Sequence, residues 1–202
     1  MTFVRPKHWL LEEMTLEDVR NLQPQVAVLP MGATEPHNLH LPYGTDTLEA
    51  WHLADRCCEA ACQLGAKLVQ LPAIPYGTET NMRQFPLAMN LQPSTVYLIL
   101  RDLVQSLEGA GIQKLLIFNS HGGNEFKPML RELYGQTSVH IFLCNWFQMV
   151  KDAASKICQH AEDHAGEMET SVILAFRPDL VRLRSDGSLQ ADDGQTLSLI
   201  HI

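Results

Sequence analysis

The sequence predicts an α/β fold in three layers, α/β/α, with a mostly parallel central sheet. Apolar runs of strand length alternate with segments of helical period, the pattern of a sheet covered by helices. The strand runs are nearly continuous in apolar residues instead of alternating, as strands buried on both faces are. The 202 residues are 46% hydrophobic and 19% charged, enough apolar matter for one sizeable core and too little charge for wholesale disorder.

The elements follow in order. Residues 15–23 read as a short helix, with Thr15 as cap, Asp18 three residues on as an acidic capping box, and Pro24 as terminator. Val26–Leu29 is the first strand. From Thr47 to Leu64 the apolar positions Leu48, Trp51, Ala54, Cys58, Ala61 and Leu64 recur at helical spacing, and Gly65 closes the helix. Residues 67–72 form the second strand. A long loop from Ala73 to about Gln92 mixes aromatic, Pro and polar residues, as expected of a substrate-facing wall. A helix starts at Pro93 and stops at Gly109 and Gly111. Lys114–Asn119 is a buried strand, followed by a glycine turn and a helix over residues 125–134. Val139–Cys144 is the last strand, Asn145 to Gln159 is partly helical, and His164–Phe176 has helical period.

Composition excludes several function classes. A formal net charge of −8, with no basic run, argues against a nucleic-acid surface. No stretch of about eighteen apolar residues is present to span a membrane, and acids interrupt the N-terminal residues before any signal-peptide core develops. The five cysteines are odd in number and lack a Cys-x-x-Cys pair, which favours free thiols and a cytoplasmic protein. Cys58 and Cys62, four apart on a helix, read as small core residues.

Chemistry concentrates in three stretches. After the first strand, Gly32–Asp46 crowds Glu35, His37, His40 and Asp46 onto a loop. Carboxylates and imidazoles at a strand end suit a borderline-hard cation such as zinc or manganese. After the third strand, Asn119–Asn124 presents His121 between Ser120 and two glycines. A phosphate-cradling turn is the alternative there, but it lacks the Lys of a P-loop and the third glycine of a dinucleotide loop. The third stretch, His160–Ser171, contains His164, Glu167 and Glu169. If it is helical from His164, then His164 and Glu167 share a face and Glu169 points off it. His160 and His164 have zincin spacing, but Ala161 stands where a zincin needs Glu. Because ligands bind at the carboxyl ends of parallel strands, the stretches can meet. Together they offer enough ligands for two metal ions with one bridging carboxylate, the arrangement that activates water and polarises a carbonyl.

Residues 30–46, Asn119–Asn124 and His164–Ser171 resemble, in order, the three signatures of the creatininase (creatinine amidohydrolase) family, in its His-Gly-Gly-Asn subtype. The resemblance implies a binuclear zinc or manganese amidohydrolase, with iron possible, on a three-layer α/β/α fold and often a homohexamer. By position, Glu35, Asp46 and His121 hold one metal; His37 and Asp46 hold the other, with Asp46 bridging. Creatininase completes the second site with a Glu two residues after the motif histidine, where this chain has Gly123. Relatives with His-Gly-Gly-Asn use a Glu from the third signature, assigned here to Glu167. His164 becomes the proton shuttle or carbonyl polariser, and Glu169 a residue bracing the ligands.

Pro36, Asn38 and Leu39 depart from the family's usual Gln, Gly and Pro. The missing Glu at position 123 weighs against creatinine itself and towards the substrates of other members, which include formamide hydrolases and a peptide-cleaving maturation enzyme. The expected protein is a single domain over residues 1–202, truncated or atypical after about Asp193. The expected reaction is hydrolysis of a C–N bond in a small cyclic amide or formamide. A metal-bound hydroxide attacks the carbonyl and His164 passes a proton to the leaving nitrogen. The rival reading is a non-catalytic metal- or small-ligand-binding protein on the same fold.

Overall fold

The computed structural model describes residues 7–159 and 164–192; His160 and the tail after Asp193 lie outside the described residues. The first helix, α1 (Leu16–Leu22), carries the full capping box. Thr15 accepts the Asp18 N–H, and the Asp18 carboxylate accepts the Thr15 N–H at 2.8 Å. Gln23, left-handed at φ 49°, turns the chain out of the helix before Pro24.

Four strands form one parallel sheet: β1 (Val26–Met31), β2 (Leu68–Gln70), β3 (Lys114–Asn119) and β4 (His140–Asn145), ordered β2-β1-β3-β4. Their residues divide between two cores. Ala27, Leu29, Met31, Val69, Leu115 and Ile117 face one side. They pack there with Val96, Leu100 and Val104 of α3 (Pro93–Gly109) and with Phe126 and Met129 of α4 (Phe126–Leu133). Val28, Leu68 and Phe118 face the other side, against Ala54 and Cys58 of α2 (Thr45–Gln63) and Trp146 of α5 (Trp146–Met149). A short helix, α6 (Lys151–Ile157), follows. Met168 and Val172 of α7 (Glu167–Phe176) pack on the second core. Two apolar faces, each covered by helices, are the three layers. Leu100, Leu115 and Ile117 are fully buried, and truncating such a side chain to Ala costs roughly 2–5 kcal/mol.

Topology then places the site. The chain leaves β1 through α2 to reach β2 on one side, and returns through α3 to β3 on the other. The loops after β1 and β3 therefore diverge from adjacent strands, opening the crevice in which doubly wound sheets bind ligands.

Two boundaries differ from expectation in ways that matter. Helix α2 begins at Thr45, so Asp46 sits in its first turn and not on the loop. Helix α7 begins at Glu167, because Ala165 is left-handed at φ 52° and Gly166 is extended. His164 therefore lies ahead of the helix, and no helical face unites it with Glu167. The loop Ala73–Gln92 has local order of its own, a 3-10 turn at Thr80–Met82 and a bridge between Gly77 and Asn90.

Candidate metal centre

The loop after β1 delivers Glu35 and His37, the first turn of α2 delivers Asp46, and the loop after β3 delivers His121. All four are buried. Each histidine has its two nitrogens in different surroundings. His37 Nδ1 lies 3.1 Å from its partner, the Glu35 carbonyl, which accepts its proton and leaves Nε2 facing Asp46 Oδ1 at 3.0 Å. His121 Nε2 lies 3.2 Å from the Thr78 carbonyl and 2.8 Å from Glu79 Oε1, while Nδ1 faces Glu35 Oε1 at 2.9 Å and Asp46 Oδ2 at 3.0 Å. The carbonyl has hydrogen-bond geometry towards Nε2; the Glu79 carboxylate is in ion-pair contact with it. One Asp46 carboxylate thus spans the two imidazoles, an oxygen to each.

Among the described residues, three clusters have ligand atoms within 4.8 Å of one another: Glu35, Asp46 and His121; His37, Asp46 and Glu169; and Glu35, His37 and His164. Of the carboxylates in the third stretch, Glu169 joins a cluster. Its Oε2 lies 3.9 Å from His37 Nε2 and accepts the Ala165 N–H. Glu167, two residues earlier, accepts the Gln159 N–H at 2.7 Å and belongs to none of these clusters. His164 stacks obliquely on His37, ring centres 4.4 Å apart, with Nε2 2.9 Å from the Pro36 carbonyl and Nδ1 3.9 Å from Glu35 Oε1. Its side chain is 37% exposed, the one imidazole of the group open to solvent. His40 is buried on Thr170 Oγ1 at 2.9 Å and is outside the clusters.

The electrostatics are those of anions crowded out of water. Burial penalises charge on His37, but Asp46 outweighs it and holds the imidazole pKa up to about 10. Burial likewise opposes charge on Asp46, yet His37 and then His121 keep its carboxyl well below the usual range. His121 is raised despite burial by its contacts to Asp46, Glu35 and Glu79. Burial raises Glu169, with His37 opposing.

Two further buried acids carried no sequence motif. Glu49, one turn along α2 from Asp46, accepts the Ser120 hydroxyl at 2.9 Å, and Ser120 accepts the Trp146 indole N–H at 2.6 Å. Burial, then Glu169 and Asp46, push its carboxyl well up. Burial holds Glu79 up at about 7 against His121. Only Glu49 had a signal in the sequence, an acid on the face of α2 shared with Asp46, Ala50 and Ala54.

Asn119 and Asn124 fix the loops. Asn119 donates to the His121 carbonyl at 2.8 Å and accepts the His121 N–H at 3.2 Å. Asn124 donates to the Gly32 carbonyl at 3.3 Å and accepts the Thr78 N–H at 3.1 Å, tying together the segments that carry Glu35, His121 and Glu79.

The donor set fits divalent cations. Asp46 Oδ2 is buried without a hydrogen-bond donor, since His121 Nδ1 approaches it outside hydrogen-bond geometry. A cation between these groups would satisfy that oxygen, and the mixed imidazole–carboxylate set suits zinc or manganese.

A doubly wound parallel sheet with carboxylates and imidazoles converging at its switch point defines an α/β protein with candidate cation-binding clusters. The chain belongs to the creatininase family, whose model, described as creatinine amidohydrolase, matches residues 12–197. Creatinine amidohydrolase of Pseudomonas putida is 28% identical over 178 residues, covering 78% of this chain and 66% of the relative. Mycofactocin precursor peptide peptidase of Mycolicibacterium smegmatis is 29% identical over 171 residues, covering 82% and 63%. A crystal structure described as a putative creatinine amidohydrolase from Bacteroides fragilis superposes with a TM-score of 0.84 at 35% identity, covering 98% of this chain and 78% of that one. The chain spans less than two thirds of the length of these curated relatives.

Proposed function

We propose that this protein is a divalent-metal-dependent amidohydrolase that cleaves the C–N bond of a small cyclic amide or formamide. Glu35, Asp46 and His121 would hold one cation, and His37, Asp46 and Glu169 a second, with Asp46 bridging. The observation that carries this is the Asp46 carboxylate, whose two oxygens each face a different histidine at 3.0 Å. Bound there, divalent cations lower the pKa of water and polarise a carbonyl.

The chain's own residues account for the rest. His37 Nδ1 and His121 Nε2 are each tied to a backbone carbonyl, so His37 Nε2 and His121 Nδ1, the nitrogens turned to Asp46, are the ones free to ligate. His164 is the group open to incoming substrate. With its Nε2–H donated to the Pro36 carbonyl, Nδ1 faces Glu35 and is placed to take a proton and return it to a leaving nitrogen. The buried walls, Glu49 and Ser120 among them, exclude bulk water and strengthen these interactions.

The wider reading places the enzyme in the cytoplasm, as a homo-oligomer. All five cysteines are free, as a reducing compartment requires. No helix among the described residues is long and apolar enough to cross a membrane. Exposed apolar residues at β4 and the helices beyond it, Phe142, Met149 and Ile157, support contact with further copies.

The test is metal content and hydrolysis of a panel of cyclic amides, formamides and short peptides, for the parent and Asp46→Ala. Near two cations per chain in the parent, with both metal and turnover lost in the variant, is the expected outcome. Retained turnover in the variant would sink the reading.

A further inference from the structure

Glu79 lies within the loop Ala73–Gln92, next to Thr78, whose carbonyl accepts from His121 Nε2. It is fully buried, with Oε1 2.8 Å from the outer nitrogen of His121, and its carboxyl also faces that of Glu35. An acid on an irregular loop is ordinarily solvated; this one reaches two groups of a single candidate cluster. Its backbone is equally tied. The Glu79 N–H donates to Asn90 Oδ1 at 2.7 Å, the Leu91 N–H donates to the Gly77 carbonyl at 2.7 Å, and the Thr78 N–H donates to Asn124. At the loop's far end, the Met89 N–H donates to the Thr34 carbonyl at 2.9 Å, beside Glu35, and the Tyr43 hydroxyl donates to the Pro86 carbonyl at 2.7 Å. Between these anchors Arg83, Phe85 and Leu87 are exposed.

We infer that Glu79 is a positioning residue that joins the loop Ala73–Gln92 to the metal centre, so that loading the site and ordering the loop are one event. The inference rests on the metal-site reading above. The Glu79 carboxylate, in ion-pair contact with His121 Nε2 beside the Thr78 carbonyl, helps hold the ring with Nδ1 inward, and both groups can do so only while the loop is folded down. A cation seated on Glu35, Asp46 and His121 fixes the same ring from the other side. Each therefore favours the other, and by linkage the factor is the same in both directions. The exposed loop residues between these anchors are then built into place by the metal.

The experiment uses zinc as the probe on the full chain, with Glu79→Gln and His121→Ala beside it. Glutamine keeps the size of the side chain and removes the carboxylate. Zinc affinity is measured by competition with a chromophoric chelator, and loop opening by the rate of tryptic cleavage after Arg83, read by mass spectrometry with and without zinc. In the parent, zinc slows that cleavage about tenfold, within the range of ordinary coupling between sites. In Glu79→Gln, zinc binds roughly 10–100-fold more weakly, as loss of a residue that orients a metal ligand does, and no longer slows cleavage. A role for Glu79 in loop structure alone would raise cleavage equally with and without zinc and preserve the ratio, which overturns the inference. Parent-like zinc affinity in Glu79→Gln also overturns it. Unchanged zinc binding in His121→Ala overturns the metal reading itself, a result that is distinguishable from either.

Discussion

Gly123 lies against the His121 ring so closely that a Cβ at position 123 would collide with His121 Nε2 and with the Thr78 carbonyl. The carbonyl is backbone and accepts from the same ring nitrogen, so it has little freedom to retreat. Gly123→Ala is expected to tilt the imidazole and weaken zinc binding roughly 10–100-fold, as disturbing the supports of a ligand does. Gly123→Glu, which restores the creatininase residue, should bind zinc no better than Gly123→Ala, because the new side chain starts from a blocked Cβ. A Gly123→Glu variant with parent-like affinity would show that the loop rearranges and would remove this argument.

The second cluster distinguishes two acids in one helical turn. Glu169 Oε2 lies 3.9 Å from His37 Nε2, whereas the Glu167 carboxylate accepts from the Gln159 backbone. Glu169→Ala should drop the metal content from about two per chain to about one, and Glu167→Ala should leave it unchanged. Elemental analysis of protein purified without chelator decides this, and the reverse pattern would restore Glu167 as the ligand.

How far these assignments were legible in the sequence depends on what held each residue in place. The loops carrying Glu35, His37 and His121 follow buried strands, and β3 occupies the residues 114–119 read from its apolar run. Their convergence follows from parallel topology alone. The choice between Glu167 and Glu169 depended on helical register. That register was lost at Ala165, whose left-handed φ of 52° is a conformation an alanine adopts only under tertiary constraint. Glu79 was invisible for a related reason: its burial comes from the anchors at Asn90 and Asn124, long-range contacts that leave no periodic trace. Asn38, by contrast, explains a departure from the family pattern. It is left-handed at φ 56°, where glycine is usual and Asn is the best substitute, and it holds the backbone of Asp192.

Removing metal should cost stability. Without cations, the buried carboxylate of Glu35 faces those of Asp46 and Glu79, and Asp46 Oδ2 lacks a donor. A ligand at a hundred times its Kd stabilises the native state by about 2.7 kcal/mol per site. For a domain of this size each kcal/mol moves Tm by about 2–4 °C. Zinc added to chelator-stripped protein should therefore raise Tm on the order of 5–10 °C per filled site, with a smaller rise in Asp46→Ala. Equal shifts in the two proteins would mean that zinc acts elsewhere.

Cys58 gives a pH dependence independent of the metal. It is buried in the core between the sheet and α2, and burial, with Cys62, Cys57 and Asp55 adding, pushes its thiol up to about 12. In the unfolded chain a thiol ionises near 8.5. Below that value both states keep the proton and Cys58 contributes no slope. Between roughly 8.5 and 12 the unfolded state releases a proton that the folded state retains, so stability falls as pH rises. The slope tends towards about 1.4 kcal/mol per pH unit for one proton. Urea unfolding at pH 7.5 and pH 10 should show a steeper alkaline loss in the parent than in Cys58→Ala, by on the order of 1–2 kcal/mol. Cys58→Ala itself is expected to be modestly less stable at pH 7.5, since it leaves a small gap against Val28 and Phe118. Identical alkaline losses would show that the thiol ionises freely in the folded core, contrary to its burial beside α2 and the sheet.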